Sequence, residues 1–294
     1  MLLANVALLC GQSAFSSRTD LVVAYAFVRD ANDRVATNLT KEDFEVIEDG
    51  ERREITAFAG DAGPLSIAIL VNTETILAER MSAMYQATRT FSASLGADDF
   101  AGISNLSRPA RLVSRNRGDL LLGLLSIPSL DGRLPLWDGL DRAIGTLGRE
   151  TNRRAVLVLS GEPDDDRGPM VSLDENYYPS PPRKQARPIK TPNDVARRVE
   201  REGIAVYSLS EAGTKADGRL KDLAWSSGGA AVTALKDVPI GNVLAELVDE
   251  MHHLYLLGFA PAKSDGKEHR FQIRVRAPGT VVRARQTYVA PKRK

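Results

Sequence analysis

The sequence predicts an α/β fold: a doubly wound, mostly parallel sheet with helices on both faces, joined to a small flanking β module from the N- and C-terminal segments. Three observations predict it. From Pro64 to about Met251, short apolar runs alternate with amphipathic stretches, the pattern of a parallel sheet covered on both faces. One run, Val156-Leu157-Val158-Leu159, is uninterrupted, as a strand buried on both faces requires. Outside that span, 21–60 and 254–288 read as alternating strands separated by turn residues.

At the N-terminus, Met1 to Cys10 is an apolar run too short to span a bilayer but suited to the apolar region of a secretory signal. Ser13 and Ala14 are small enough for a cleavage site, while the basic residues that normally precede such a run are absent, as in a truncated signal. Residues 1–16 are therefore read as an export segment, and the mature chain is expected in the periplasm, on the cell surface or outside the cell. Leu8-Leu9-Cys10-Gly11 is similar to a bacterial lipoprotein cleavage box, but bulky Leu9 fits it badly, so lipid attachment at Cys10 is the lesser alternative.

Residues 17–62 form the N-terminal β segment. Leu21 to Arg29 reads as a strand, Asp30 to Asp33 as a turn, and Thr40 to Asp43 as one helical turn capped by Thr40 with Asp43 as its partner. Phe44 to Glu48 and Arg53 to Phe58 alternate around the hairpin signal Asp49-Gly50. Residues 63–251 form the α/β unit, with strands at 65–71, 100–106, 154–160, 203–209 and 229–233. Its helices are at 77–95, 117–126, 136–148, 192–202, 217–226 and 239–251. Thr191-Pro192-Asn193-Asp194 starts one of them with Thr at the N-cap, Pro first and Asp third. Gly228-Gly229 reads as a helix stop and turn. Residues 252–291 return to strands at 254–259, 270–276 and 281–288, with Pro278-Gly279 as the turn of the last hairpin, and are expected to pack with 17–62.

Composition excludes several classes. The 294 residues are 43% hydrophobic and 26% charged, an ordinary globular balance. Basic and acidic residues nearly cancel, at +1, so neither nucleic acid nor an anionic membrane is predicted as a partner. The terminal Lys292-Arg293-Lys294 reads as a solvated tail. With Cys10 the one cysteine, an intrachain disulfide or a multi-cysteine metal site is excluded. No glycine-rich nucleotide loop or Gly-x-Ser-x-Gly elbow follows a strand, so no cofactor and no serine nucleophile is expected.

The candidate binding residues lie on two loops. Asn72, Thr73, Glu74 and Thr75 follow strand 65–71, where α/β proteins build ligand sites. This loop holds no glycine, which makes a poor phosphate cradle. The connection 162–190 is too long for a plain loop and leaves the same edge of the sheet. It carries Asp164, Asp165 and Asp166, read as a solvated acidic turn ahead of a Ca²⁺ loop, and Tyr177-Tyr178-Pro179. The two tyrosines read equally well as interface anchors and as a cover for the base of their own loop. Asp138 is a helix residue facing solvent or a neighbouring loop. Adjacent His252 and His253 would point to opposite faces of a strand and cannot share an ion; His269 belongs to no motif. Structural roles are expected for all three histidines.

The element order, the loop after 65–71, Asp98-Asp99-Phe100-Ala101-Gly102-Ile103-Ser104 and Leu136-Trp137-Asp138-Gly139-Leu140 resemble the von Willebrand factor type A domain. The flanks Thr40 to Gly50, His253 to Pro261 and Val282 to Tyr288 resemble segments around that domain in a group of exported bacterial proteins common in acidobacteria. The resemblance covers roughly 18–291. It implies a divalent-ion site with an Asp-x-Ser-x-Ser loop, a Thr and an Asp. Those positions fall on Asn72, Glu74 and Ile76, on or near Leu134, and on Gly161, none of which is the expected ligand. A degenerate site without metal is therefore expected.

The resemblance and the missing ligands together imply a non-enzymatic, exported, adhesion-type domain binding an unknown protein ligand at the carboxyl edge of its sheet. The alternatives are a structural envelope or scaffold component, and an acid–base hydrolase using Glu74 with Asp164, Asp165 and Asp166, whose spacing gives no support for convergence.

Overall fold

Leu65–Val71 is buried at every position, which requires cover on both faces of the strand. This is β5 of a computed structural model that describes residues 21–61, 63–71, 81–105, 113–114, 136–159, 190–210 and 217–292. Around it lie β6 (Phe100–Asn105), β7 (Val113–Ser114), β8 (Arg153–Leu159), β9 (Ala205–Ser210) and β10 (Ala231–Thr233), in the order β10-β9-β8-β5-β6-β7. The sheet is parallel from β10 to β6, and β7 joins its edge antiparallel. Two residues carry no readable period, so β7 leaves no signal in the sequence. The expected helix 117–126 and the export segment with Cys10 lie outside the described residues.

The helices are α1 (Met81–Ser94), α2 (Leu136–Leu147), α3 (Pro192–Glu202), α4 (Gly218–Ser226) and α5 (Ile240–His252). Strand alternation sorts them. Leu65, Ile67, Ile69 and Val71 of β5 join the cluster of α1 and α5, whereas Ala68 and Leu70 join that of α2, α3 and α4. The α3 start is the capping box expected there: the Thr191 hydroxyl accepts the Asp194 N–H, and the Asp194 carboxylate accepts the Thr191 N–H at 3.0 Å. Gly229 sits where a Cβ would lie 1.9 Å from the Val206 carbonyl oxygen, so only glycine lets β9 and the turn after α4 meet. Among the described residues, no helix is long and apolar enough to cross a membrane.

The chain ends build two antiparallel sheets that share one core. Their strands are β1 (Val22–Arg29), β2 (Phe44–Glu48), β3 (Glu51–Arg53), β4 (Ile55–Ala59), β11 (Tyr255–Phe259), β12 (Glu268–Val275), β13 (Val281–Ala284) and β14 (Thr287–Val289). The orders are β13-β1-β11-β4 and β14-β12-β2-β3, so N- and C-terminal strands alternate in the first sheet and meet at the β12–β2 pair in the second. Phe44, Tyr255, Phe259, Phe271 and Tyr288 fill the space between. Tyr255 fits because its hydroxyl donates to the Ala36 carbonyl at 2.7 Å and accepts the Leu39 N–H at 3.0 Å.

Two local expectations are corrected. The Asp49-Gly50 hairpin exists, with both residues at positive φ, but β3 ends at Arg53 and the chain changes sheet at Glu54. Pro278-Gly279 is likewise a passage between sheets rather than a hairpin turn, since β12 pairs with β2 and β14 while β13 pairs with β1. In both cases the turn or polar residues mark the end of a strand, but nothing local says which sheet the next strand joins.

His252 and His253 end α5 instead of entering a strand. His253 meets the Asp249 carbonyl at 2.8 Å, as a histidine at a helix C-terminus does. His269, 6% exposed, is held between Asp49 at 2.7 Å and Asp265 at 3.1 Å and stacks on Tyr288. Bonds to the two carboxylates raise its pKa above 6.5, while His269 and backbone N–H donors lower those of Asp49 and Asp265 below 3.8. A raised histidine stabilises fully below its unfolded pKa and loses that contribution as pH rises through the folded value; depressed carboxylates lose theirs as pH falls. The sandwich is therefore expected to lose stability on both sides of a window from about 4 to about 6.5. Thermal melts against pH should show His269→Gln losing less than wild type above 6.5, and parallel curves would disprove the bridge.

Candidate functional site: the carboxyl edge of the sheet

A helix that precedes a parallel strand runs back along it, so its first turn stands at the carboxyl edge. This places the starts of α2, α3 and α4 on one edge of the sheet. Side chains tie them together. Asp138, in the first turn of α2, is buried and accepts the Lys190 N–H at 2.8 Å, just ahead of the α3 cap. Of the two surroundings expected for Asp138, the structure shows the neighbouring segment. Asp217 caps α4 by accepting the Arg219 N–H at 2.8 Å, and the Arg219 guanidinium lies 5.8 Å from the Trp137 ring centre.

The electrostatics arise from the same residues. Three helix N-termini point partial positive charge at this edge, and each has a carboxylate in its cap or first turn. Asp194 is held down at about 2 by the Thr191 hydroxyl and N–H and by Arg197. Ser104 donates to the Ile69 carbonyl at 3.3 Å, and the Ser210 and Thr233 hydroxyls lie 3.0 Å apart. The carboxylates are thus engaged in caps and the hydroxyls in backbone or mutual bonds. No group of three or more His, Cys, Asp or Glu placed to hold a metal occurs among the described residues.

Strands β5 and β8 are neighbours in register, with Val71 opposite Leu159, so the segments after them leave the sheet side by side. The candidates themselves, Asn72, Thr73, Glu74, Thr75, Asp164, Asp165, Asp166, Tyr177 and Tyr178, lie outside the described residues, as do Ile76, Leu134 and Gly161. Sequence reasoning missed Trp137, Asp217 and Arg219 as rim residues. An Asp one residue before a helix start was the available signal for Asp217. The Arg219 to Trp137 contact joins two helices far apart in sequence and left no local trace.

The sandwich occupies the opposite, amino edge. Arg153, the first residue of β8, stacks on Tyr25 at 5.8 Å, and Arg283 pairs with Glu250 near the end of α5. Gly228, after α4, sits where a Cβ would lie 2.7 Å from the Arg285 backbone nitrogen.

Solved structures with this arrangement carry the type A domain. A structure of proximal thread matrix protein 1 from the mussel byssus, with a zinc-occupied MIDAS motif, is 15% identical at a TM-score of 0.50. The match covers 70% of this chain and 50% of that one. A von Willebrand factor type A protein from Catenulispora acidiphila is 11% identical at a TM-score of 0.46, over 94% of this chain and 76% of that one. The chain thus spans about half the length of the mussel protein. No protein-family model and no curated protein matches the sequence.

Proposed function

From a chain with the von Willebrand factor type A fold, we propose a non-enzymatic, exported protein-interaction domain that takes a protein ligand on the carboxyl edge of its sheet, without a bridging metal. In this reading 63–251 is the interaction unit, and 17–62 with 252–291 form its support. The observation that carries the proposal is the division of the two edges. The sandwich covers the amino edge, while β5 and β8 end as neighbours at the other, which also holds the starts of α2, α3 and α4. In sequence, Asn72 to Thr75 follow β5, and Asp164 to Asp166 and Tyr177-Tyr178 follow β8. Donor chemistry supports the metal-free part: Ile76, Leu134 and Gly161 bring no side-chain oxygen to positions where a hard cation needs one.

Photo-crosslinking in the native envelope fraction tests the reading, with probes at Glu74 and Tyr177 and a control at exposed Val281. The edge probes should capture one protein that the control does not. The purified partner should bind at least about ten-fold more weakly to Glu74→Ala or Tyr177→Ala and be insensitive to EDTA. Capture from the control alone would overturn the site. Stoichiometric Mg²⁺, Mn²⁺ or Ca²⁺ binding at about micromolar affinity in calorimetry would overturn the metal-free part.

A further inference from the structure

The seam between the amino edge and the sandwich holds a buried guanidinium that stacks on Tyr25 but whose N–H donors the described residues leave unpartnered. Arg153 is 6% exposed, and its Nε, Nη1 and Nη2 find no hydrogen-bond acceptor among the described residues. The Tyr207 hydroxyl, fully buried on β9, also lacks a partner among them. Both line a cavity of about 20 Å³, room for one atom-sized guest. Val23, Tyr25, Arg153, Gly203 and Arg285 also line an adjacent solvent-facing cleft of about 500 Å³.

A buried guanidinium without an acceptor costs several kcal/mol, so such groups are normally paired. Nearby carboxylates are engaged elsewhere, Asp61 by the Gly63 N–H at 2.8 Å. Asp99 holds the Leu65 and Gly96 N–H groups and His252. Glu150 accepts the Ser66 hydroxyl, and Glu202 pairs with Arg198. Arg285 spends one nitrogen on the Val23 carbonyl at 2.6 Å. The opposite deficit also exists on the cleft wall, where Glu200 Oε1 is buried without a donor among the described residues. An oxyanion at Arg153 would meet this deficit, and a guest with an N–H beside that oxyanion would also satisfy Glu200.

We propose that the seam is a carboxylate-binding site: a carboxylate entering by the cleft places one oxygen in the inner cavity against the Arg153 guanidinium and the Tyr207 hydroxyl. The cavity admits one oxygen, which a carboxylate can supply as a charge-assisted acceptor for the guanidinium while its second oxygen stays toward the cleft. The carboxylate comes either from a free small acid or from the end of a polypeptide, whose last amide N–H would supply the donor for Glu200.

The test is calorimetric titration of the full chain at constant ionic strength with three probes: sodium acetate, a short peptide ending in a free carboxylate, and the same peptide ending in an amide. The amide peptide should not bind. Acetate binding as tightly as the acid peptide assigns a free acid, and an acid peptide at least about ten-fold tighter assigns a chain end. Arg153→Met, which keeps the stem and removes the charge, should weaken carboxylate binding at least about ten-fold. Tyr207→Phe removes only the hydroxyl and should weaken it measurably, and it carries the test if Arg153→Met does not fold. Affinities unchanged in the folded variants, equal binding of acid and amide peptides, or no carboxylate binding below about 10 mM would each overturn the proposal.

Discussion

Replacing Glu48 with alanine is expected to destabilise the chain by about 3–5 kcal/mol, the cost of stripping one partner from a buried ion pair. Glu48 is fully buried at the end of β2, where the two sheets of the sandwich meet. One carboxylate oxygen stands 2.6 Å from Arg53 Nε, and the carboxylate accepts the Ala262 N–H at 3.0 Å. The Tyr288 hydroxyl donates to the other oxygen. Burial and this carboxylate push the Tyr288 phenol up, so it remains a donor at any ordinary pH. Alanine would leave the Arg53 guanidinium without its counter-charge and an amide and a phenol without their acceptor at once. Glu48→Gln keeps an acceptor and should lose less. Urea unfolding measures both, and a loss below about 1 kcal/mol for alanine would mean that the three groups find other partners.

Asp99→Ala is expected to cost about 3 kcal/mol, since it orphans two backbone N–H groups in the protein interior. Asp99 is 2% exposed, just before β6. Its Oδ1 accepts the Leu65 N–H at 2.8 Å, where β5 begins, and its Oδ2 accepts the Gly96 N–H at 2.8 Å, after α1. The same Oδ2 lies 2.6 Å from His252 Nε2 at the end of α5. One carboxylate thus registers the central strand, the loop before its neighbour and the last helix. Burial pushes its pKa up, but the His252 bond and the two N–H donors outweigh this and hold it below 3.8. Its contribution is therefore complete above that ordinary value and lost as pH falls through the lower folded one. Melting curves should show the gap between wild type and Asp99→Asn narrowing on acidification. A gap independent of pH would remove the carboxylate from this role.

Legibility divides along the distance between partners. The α/β unit could be read because its signals are local: a capping box spans four residues, and a buried strand announces itself by an almost unbroken apolar run. Most of its strands and helices accordingly stand within two residues of their expected ends, the expected start of α1 at 77 lying outside the described residues. In the sandwich, the alternation of Phe44, Val46 and Glu48 put a carboxylate on an inward face, but its partners Ala262 and Tyr288 stand more than two hundred residues away. His269 had no motif for the same reason: Asp49, one of its two carboxylates, arrives from the other end of the chain.

The candidate site shows the same split. Which strands end at the carboxyl edge was readable from the βα alternation, and the in-register neighbours β5 and β8 agree with that reading. The rim formed by Trp137, Lys190 and Arg219 was not, since it depends on three helix starts that meet only when the sheet assembles. The unpaired Arg153 was equally hidden, because one residue at the head of a strand reveals nothing about which acceptors reach it.

Sequence alone determined the fold class and the presence of a β module from both chain ends. These rest on periodicity and on side-chain chemistry, both carried by neighbouring residues. Only the tertiary structure decided that the module is a two-sheet sandwich, that it covers the amino edge and not the carboxyl edge, and that a buried guanidinium is left at the seam. Those depend on which distant surfaces bury each other, a choice made by the whole chain through packing and desolvation and not by any local segment.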